Sequence, residues 1–221
     1  MRILKLLVYV FLWSGSISFL TVATPGQDKV RLPPDLSQSS SLSEILDQLG
    51  KNYFGPAVIG LSAGYESANF SRGFKLTSTD GCYVTLRNDD VKILNYATRA
   101  FPEEYQSLEF FRRKADKLMS YPAELYLRLS RMNPEKGKRS HLHNKDPERA
   151  KVLGSWQTEF KVKSGRSRPQ DDLLLVIFDS VPGDGRDEMF AGSITFTFDD
   201  RETSEQFDAA FRQAIKLCTT K

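Results

Sequence analysis

Apolar and polar residues alternate with a period of two along much of the chain, and helical spacing replaces that alternation in three places. Phe74, Leu76 and Ser78 alternate with Lys75, Thr77 and Thr79; after Asp80-Gly81, Cys82, Val84 and Leu86 alternate with Tyr83, Thr85 and Arg87. Asp-Gly between two alternating runs predicts a hairpin, because both residues tolerate the positive φ angles of a two-residue turn. Cys82 then shares the apolar face of Val84 and Leu86. Asn88-Asp89-Asp90 reads as another turn and residues 91–97 as a third strand. Alternation returns through Leu125, Leu127 and Leu129, through Val152, Trp156, Phe160 and Val162, and through a final strand carrying Phe190, Ile194, Phe196 and Phe198. The run LLLVIF, residues 173–178, is apolar on both faces and belongs in the middle of a sheet. Seven strands are predicted. The Gly-, Ala- and Ser-rich text from Tyr53 to Ser71 reads as irregular or edge structure.

The three helical segments differ in kind. Ser41-Leu42-Ser43-Glu44 has the form of a capping box, and Leu42, Ile45, Leu46 and Leu49 follow at helical spacing. Tyr105, Leu108, Phe111, Ala115 and Leu118 predict an inserted helix over 102–119. Phe207, Ala210, Phe211, Ala214, Ile215 and Cys218 form one apolar stripe of a last helix, capped by Asp199 or Asp200. The fold class is therefore α+β, mostly antiparallel β, closed by an amphipathic C-terminal helix.

Arg2 and Lys5 precede an uncharged run from Leu6 to Ala23, the profile of a secretory signal with cleavage after Ala23. An uncleaved membrane anchor is the alternative, against which Ser14, Gly15, Ser16 and Ser18 interrupt the apolar run. Residues 24–40 lack apolar periodicity and are rich in Pro, Ser and Gln, as expected of a solvated linker. Residues 41–221 form a single domain. Lys and Arg number 31 against 28 Asp and Glu, so removal of Arg2 and Lys5 leaves a mature charge near +1. That balance gives no global attraction for nucleic acid or a membrane, and any anion contact has to be local.

Seven antiparallel strands followed by an amphipathic helix resemble the layout of pleckstrin-homology-like domains, a partly open barrel or sandwich. The closing stretch ITFTFDDRETSEQFDAAFRQAIKLC also looks like the ending of uncharacterised exported bacterial proteins of that layout. The resemblance covers residues 72–218 and places no binding residue. A lipocalin-like barrel is the alternative; it needs an eighth strand, which residues 53–66 have to supply.

Candidate chemistry is sparse. His141, His143 and Asp146 lie in the longest polar loop without a diagnostic metal spacing, and surface residues are the better reading. Asp184, Asp187 and Glu188 lack the periodicity of a twelve-residue calcium loop. Asn69-Phe70-Ser71 fits a glycosylation acceptor. Two basic loops are candidates for an anion or anionic-lipid contact, with solvated turns the better reading because acidic residues are interspersed and stacking aromatics are lacking. One holds Lys136, Lys138, Arg139 and Lys145, the other Lys161, Lys163, Arg166 and Arg168, and a single strand over 152–162 puts them some ~30 Å apart. No phosphate loop, nucleophile elbow or paired-histidine helix is present in the sequence, so the expectation is a non-enzymatic domain without cofactor or metal. It is expected in the periplasm or outside the cell, binding or scaffolding a protein or envelope component, with a carrier of a small apolar ligand or lipid as the second reading. Two inward cysteines with no third, in an exported chain, favour a Cys82–Cys218 disulfide; two buried thiols are the alternative.

Overall fold

In the computed structural model, which describes residues 41–63, 66–98, 120–135, 138–142, 151–163, 173–178 and 186–220, the first helix begins at its capping signal. The Ser41 hydroxyl accepts the Glu44 N–H at 3.2 Å, and α1 (Leu42–Asn52) buries Ile45, Leu46 and Leu49. Every described residue belongs to one compact unit, within Pro33–Lys221.

Eleven strands follow among the described residues: β1 (Val58–Ala63), β2 (Glu66–Phe70), β3 (Lys75–Asp80), β4 (Tyr83–Thr98), β5 (Ser120–Arg128), β6 (Met132–Asn133), β7 (Arg139–His141), β8 (Trp156–Val162), β9 (Leu173–Phe178), β10 (Arg186–Phe190) and β11 (Ser193–Phe198). All pair antiparallel, in the order β10-β9-β5-β4-β2-β1-β11-β8-β6, with β3 beside β4 and β7 beside β8. Among the described residues the end strands β10 and β6 do not pair with each other, so the sheet is open. The last helix, α2 (Arg201–Thr219), is capped by Asp200, whose carboxylate accepts the Thr203 N–H at 2.7 Å. The mostly antiparallel sheet with a C-terminal helix is the α+β class that the periodicity predicts.

Several expectations are corrected. Residues 58–63 and 66–70 are neither irregular nor peripheral: β1 lies between β11 and β2, and β2 between β1 and β4. Gly60 sits there because a Cβ would overlap the side chains of Thr195 and Asn69 on the flanking strands, and that close approach gives the segment its low β-propensity text. Asn88-Asp89-Asp90 is no turn but a bulge within the sixteen-residue β4. Buried Asn88 donates from Nδ2 to the Arg72 carbonyl at 3.0 Å and accepts the Asp90 N–H at 2.9 Å, so the polar triplet bends the strand without ending it. The hairpin turn is Gly81-Cys82, one residue later than expected, since Asp80 pairs with Tyr83 and Gly81 takes φ +57°. Cys82 is thus a half-buried turn residue at the edge of the core.

The expected final strand is two. Ala191-Gly192 separates β10, on β9, from β11, between β1 and β8. Residues 151–153 are helical and β8 starts at Trp156, which leaves Val152 50% exposed instead of in the core. The predicted helix at 102–119 lies outside the described residues. No helix among those described is long and apolar enough to cross a membrane.

The core sits between α1, α2 and the sheet. Phe207 approaches Phe196 at 4.5 Å and Phe198 at 5.1 Å between ring centroids, and Phe211 lies 4.7 Å from Phe160. Each fully buried ring stabilises the fold by roughly 1.5–3 kcal/mol relative to exposure. Ser204, also fully buried on α2, meets Thr158 of β8 at 3.2 Å, so its hydroxyl does not enter the core unpaired.

Candidate functional site

Where β2 ends, the backbone leaves the sheet at Phe70 and remains hydrogen-bonded to β4 for one more residue. The Ser71 N–H donates to the Lys92 carbonyl at 2.9 Å, and the Lys92 N–H donates to Ser71 Oγ at the same distance. Val91 and Ile93 point into the core, so Asp90, Lys92 and Leu94 take the opposite face of β4. The β4 bulge and the buried Asn88 bridge fix Arg72 beside this face. The resulting open cleft of about 320 Å³ is lined by Ser71, Arg72, Asp90, Lys92, Leu94 and Val152.

Arg72 is held by Asp199 at the junction of β11 and α2. Its two Nη atoms donate to the two carboxylate oxygens at 2.7 and 2.5 Å, the planar fork that guanidinium and carboxylate form best. These hydrogen bonds hold the Asp199 carboxyl below its ordinary value and raise that of Arg72. Lys92 and Asp90 form no ion pair among the described residues, although both are exposed on the same wall. A second charged cluster, Arg139–Glu205–Arg201, lies by the start of α2, where Arg201 also covers the Trp156 ring at 5.6 Å. There the Arg201 hydrogen bond lowers the Glu205 carboxyl, and both arginines pair with that one carboxylate.

The residues expected from the sequence are distributed elsewhere. Cys82 and Cys218 are joined as a disulfide, Cα atoms 5.6 Å apart, linking the β3–β4 turn to the last turn of α2. Lys161 is exposed and 3.8 Å from Glu159, whereas Lys163 is half-buried and donates to the Ser130 carbonyl at 3.2 Å. Arg166 and Arg168 lie outside the described residues, as do Lys136 and Lys145. The separation of about 30 Å between the two basic loops does not hold for Lys138 and Arg139. β7 runs back along β8, and the Lys138 carbonyl accepts the Glu159 N–H, two residues from Lys161. Pairing of β7 with β8 was invisible in a loop with no apolar alternation.

His141 stacks edge-on against Trp156 at 4.8 Å; His143, Asp146 and Asp184 are outside the described residues. Asp187 and Glu188 belong to β10. No group of three or more His, Cys, Asp or Glu side chains gathers as metal ligands among the described residues. Asn69 lies in β2 between β1 and β4 instead of in a loop. The cleft residues themselves were not singled out from the sequence. Asp90, Lys92 and Leu94 carried a usable signal, alternating with buried Val91 and Ile93, but their meeting with Ser71 and Arg72 depends on strand pairing. Comparison of the chain with protein-family models, curated proteins and solved structures returns no match.

Proposed function

We propose that the chain is an exported, non-enzymatic domain of pleckstrin-homology-like layout that binds or scaffolds another macromolecule, and that the cleft beside β4 is where it does so. The observation that carries this reading is the cleft itself: Lys92 and Asp90, which form no ion pair among the described residues, and exposed Val152 share an open recess beside β4. An open antiparallel sheet followed by a packed C-terminal helix supports the layout, and the continuous β4 departs from its seven-strand count. The disulfide supports export to an oxidising compartment, periplasmic or extracellular. Ser71 Oγ is engaged as an acceptor of the Lys92 N–H, an arrangement suited to recognition more than to nucleophilic attack. Against the carrier reading, the space between α2 and the sheet is filled by the rings of Phe54, Phe160, Phe196, Phe207 and Phe211.

A photo-crosslinking residue at position 152, with one at exposed position 77 of β3 as control, tests this in the native host. A discrete protein adduct from position 152 alone is expected. A small apolar molecule retained in native mass spectrometry, with no adduct, would favour the carrier and remove the proposal.

A further inference from the structure

The cleft is selective in its charge. Arg72 and Lys92 are balanced by Asp199 and Asp90, so the site as a whole is neutral and offers a polyanion, such as a phosphate-rich surface, little net attraction. What it does offer is local. The Ser71 oxygen already accepts the Lys92 backbone N–H, which leaves its hydroxyl hydrogen to donate, and Lys92 lines the same cleft. Asp90, in the bulge two residues before Lys92, is an acceptor lining the same cleft. Leu94 and Val152 supply apolar surface next to these groups.

We infer, resting on the binding-domain reading above, that the cleft captures the free carboxyl terminus of a partner polypeptide ending in an aliphatic residue. The terminal carboxylate meets the Lys92 ammonium and the Ser71 hydroxyl, the terminal backbone N–H donates to Asp90, and the aliphatic side chain covers Leu94 and Val152. A ligand with a carboxylate, an N–H donor a few ångströms away and an apolar branch satisfies all three features. A simple anion satisfies one and meets repulsion from Asp90. Arg72 spends two of its five N–H donors on Asp199, whose carboxylate offsets its charge, so Lys92 is the primary anion ligand.

Two-dimensional amide NMR of the purified protein, titrated with N-acetyl-alanyl-leucine as free acid and as C-terminal amide, tests this directly. The free acid is expected to shift the resonances of Ser71, Asp90, Lys92 and Leu94, and the amide to bind about tenfold more weakly. Lys92→Gln, at an exposed position, is expected to keep the wild-type unfolding midpoint and to weaken the free acid by a similar factor. Equal binding of acid and amide, stronger binding of inorganic phosphate, or no shift up to about 10 mM free acid would overturn the inference. A partner crosslinked at position 152 and retained by Lys92→Gln would sink this inference alone; loss of every partner from the wild type would sink the binding-domain reading with it.

Discussion

At the scale of single residues, the most informative contact is the fork between Arg72 and Asp199, because it joins the β2–β3 connection to the start of α2 across 127 positions of sequence. The Asp199 carboxyl is held below its ordinary value of 3.8, chiefly by the hydrogen bonds from Arg72. A carboxyl lowered on folding contributes stability that is complete above its unfolded value and disappears as pH falls through the lower folded one. Urea midpoints of wild type and Asp199→Asn should therefore differ at pH 6 and converge as acid is added below about pH 4. Asp199 is 61% exposed, so solvent screening keeps the difference under about 1 kcal/mol. Glu205 is unchanged in both proteins, and its own acid titration cancels in the comparison. The disulfide is the second single-residue determinant. It closes a separation of 136 residues, and Cys82→Ser with Cys218→Ser should cost about 2–4 kcal/mol in chemical unfolding. An equal midpoint for oxidised wild type and the double variant would show that the bridge constrains nothing.

At the scale of elements, α2 is fixed by its cap, its stripe and its last turn. Asp200 satisfies the Thr203 N–H and accepts the Thr203 hydroxyl, so Asp200→Ala should destabilise by about 1 kcal/mol. Phe207 contacts rings on both β11 and β8, with Tyr53 6.0 Å away across the helix pair, and Phe207→Ala should cost about 3–5 kcal/mol. Differential scanning calorimetry ranks the two. A Phe207→Ala loss no larger than that of Asp200→Ala would mean the ring cluster reorganises to fill the space. Half-buried Arg212 adds a packing link: it pairs with Asp208, donates to the Pro134 carbonyl and covers Phe160 at 5.3 Å.

At the scale of the whole molecule, protection should follow position in the sheet. β1 is hydrogen-bonded on both sides and its residues Val58–Leu61 are buried, whereas β3 pairs only with β4 among the described residues and is largely exposed. Native-state hydrogen exchange should show β1 amides opening only with global unfolding and β3 amides exchanging through smaller openings. Comparable protection in the two would mean that residues beyond the described strands cover β3. The same architecture places the cleft on a bent but continuous strand, so the groups proposed to recognise a partner are positioned by the fold and need no loop closure.

The sequence by itself determined the α+β class, the cap and buried face of α1, the apolar stripe of α2 with Cys218 on it, and the inward placement of Val84 and Leu86. Those features follow from local periodicity and capping chemistry, which are readable within a few residues. Only the tertiary structure decided the rest. A glycine-rich segment became a central strand because Thr195 and Asn69 crowd its backbone. A polar triplet became a bulge because Asn88 found a partner in the Arg72 carbonyl sixteen residues away. Ser71, Arg72, Asp90 and Lys92 came to line one cleft because β2 pairs with β4, and no local pattern encodes which strands will be neighbours.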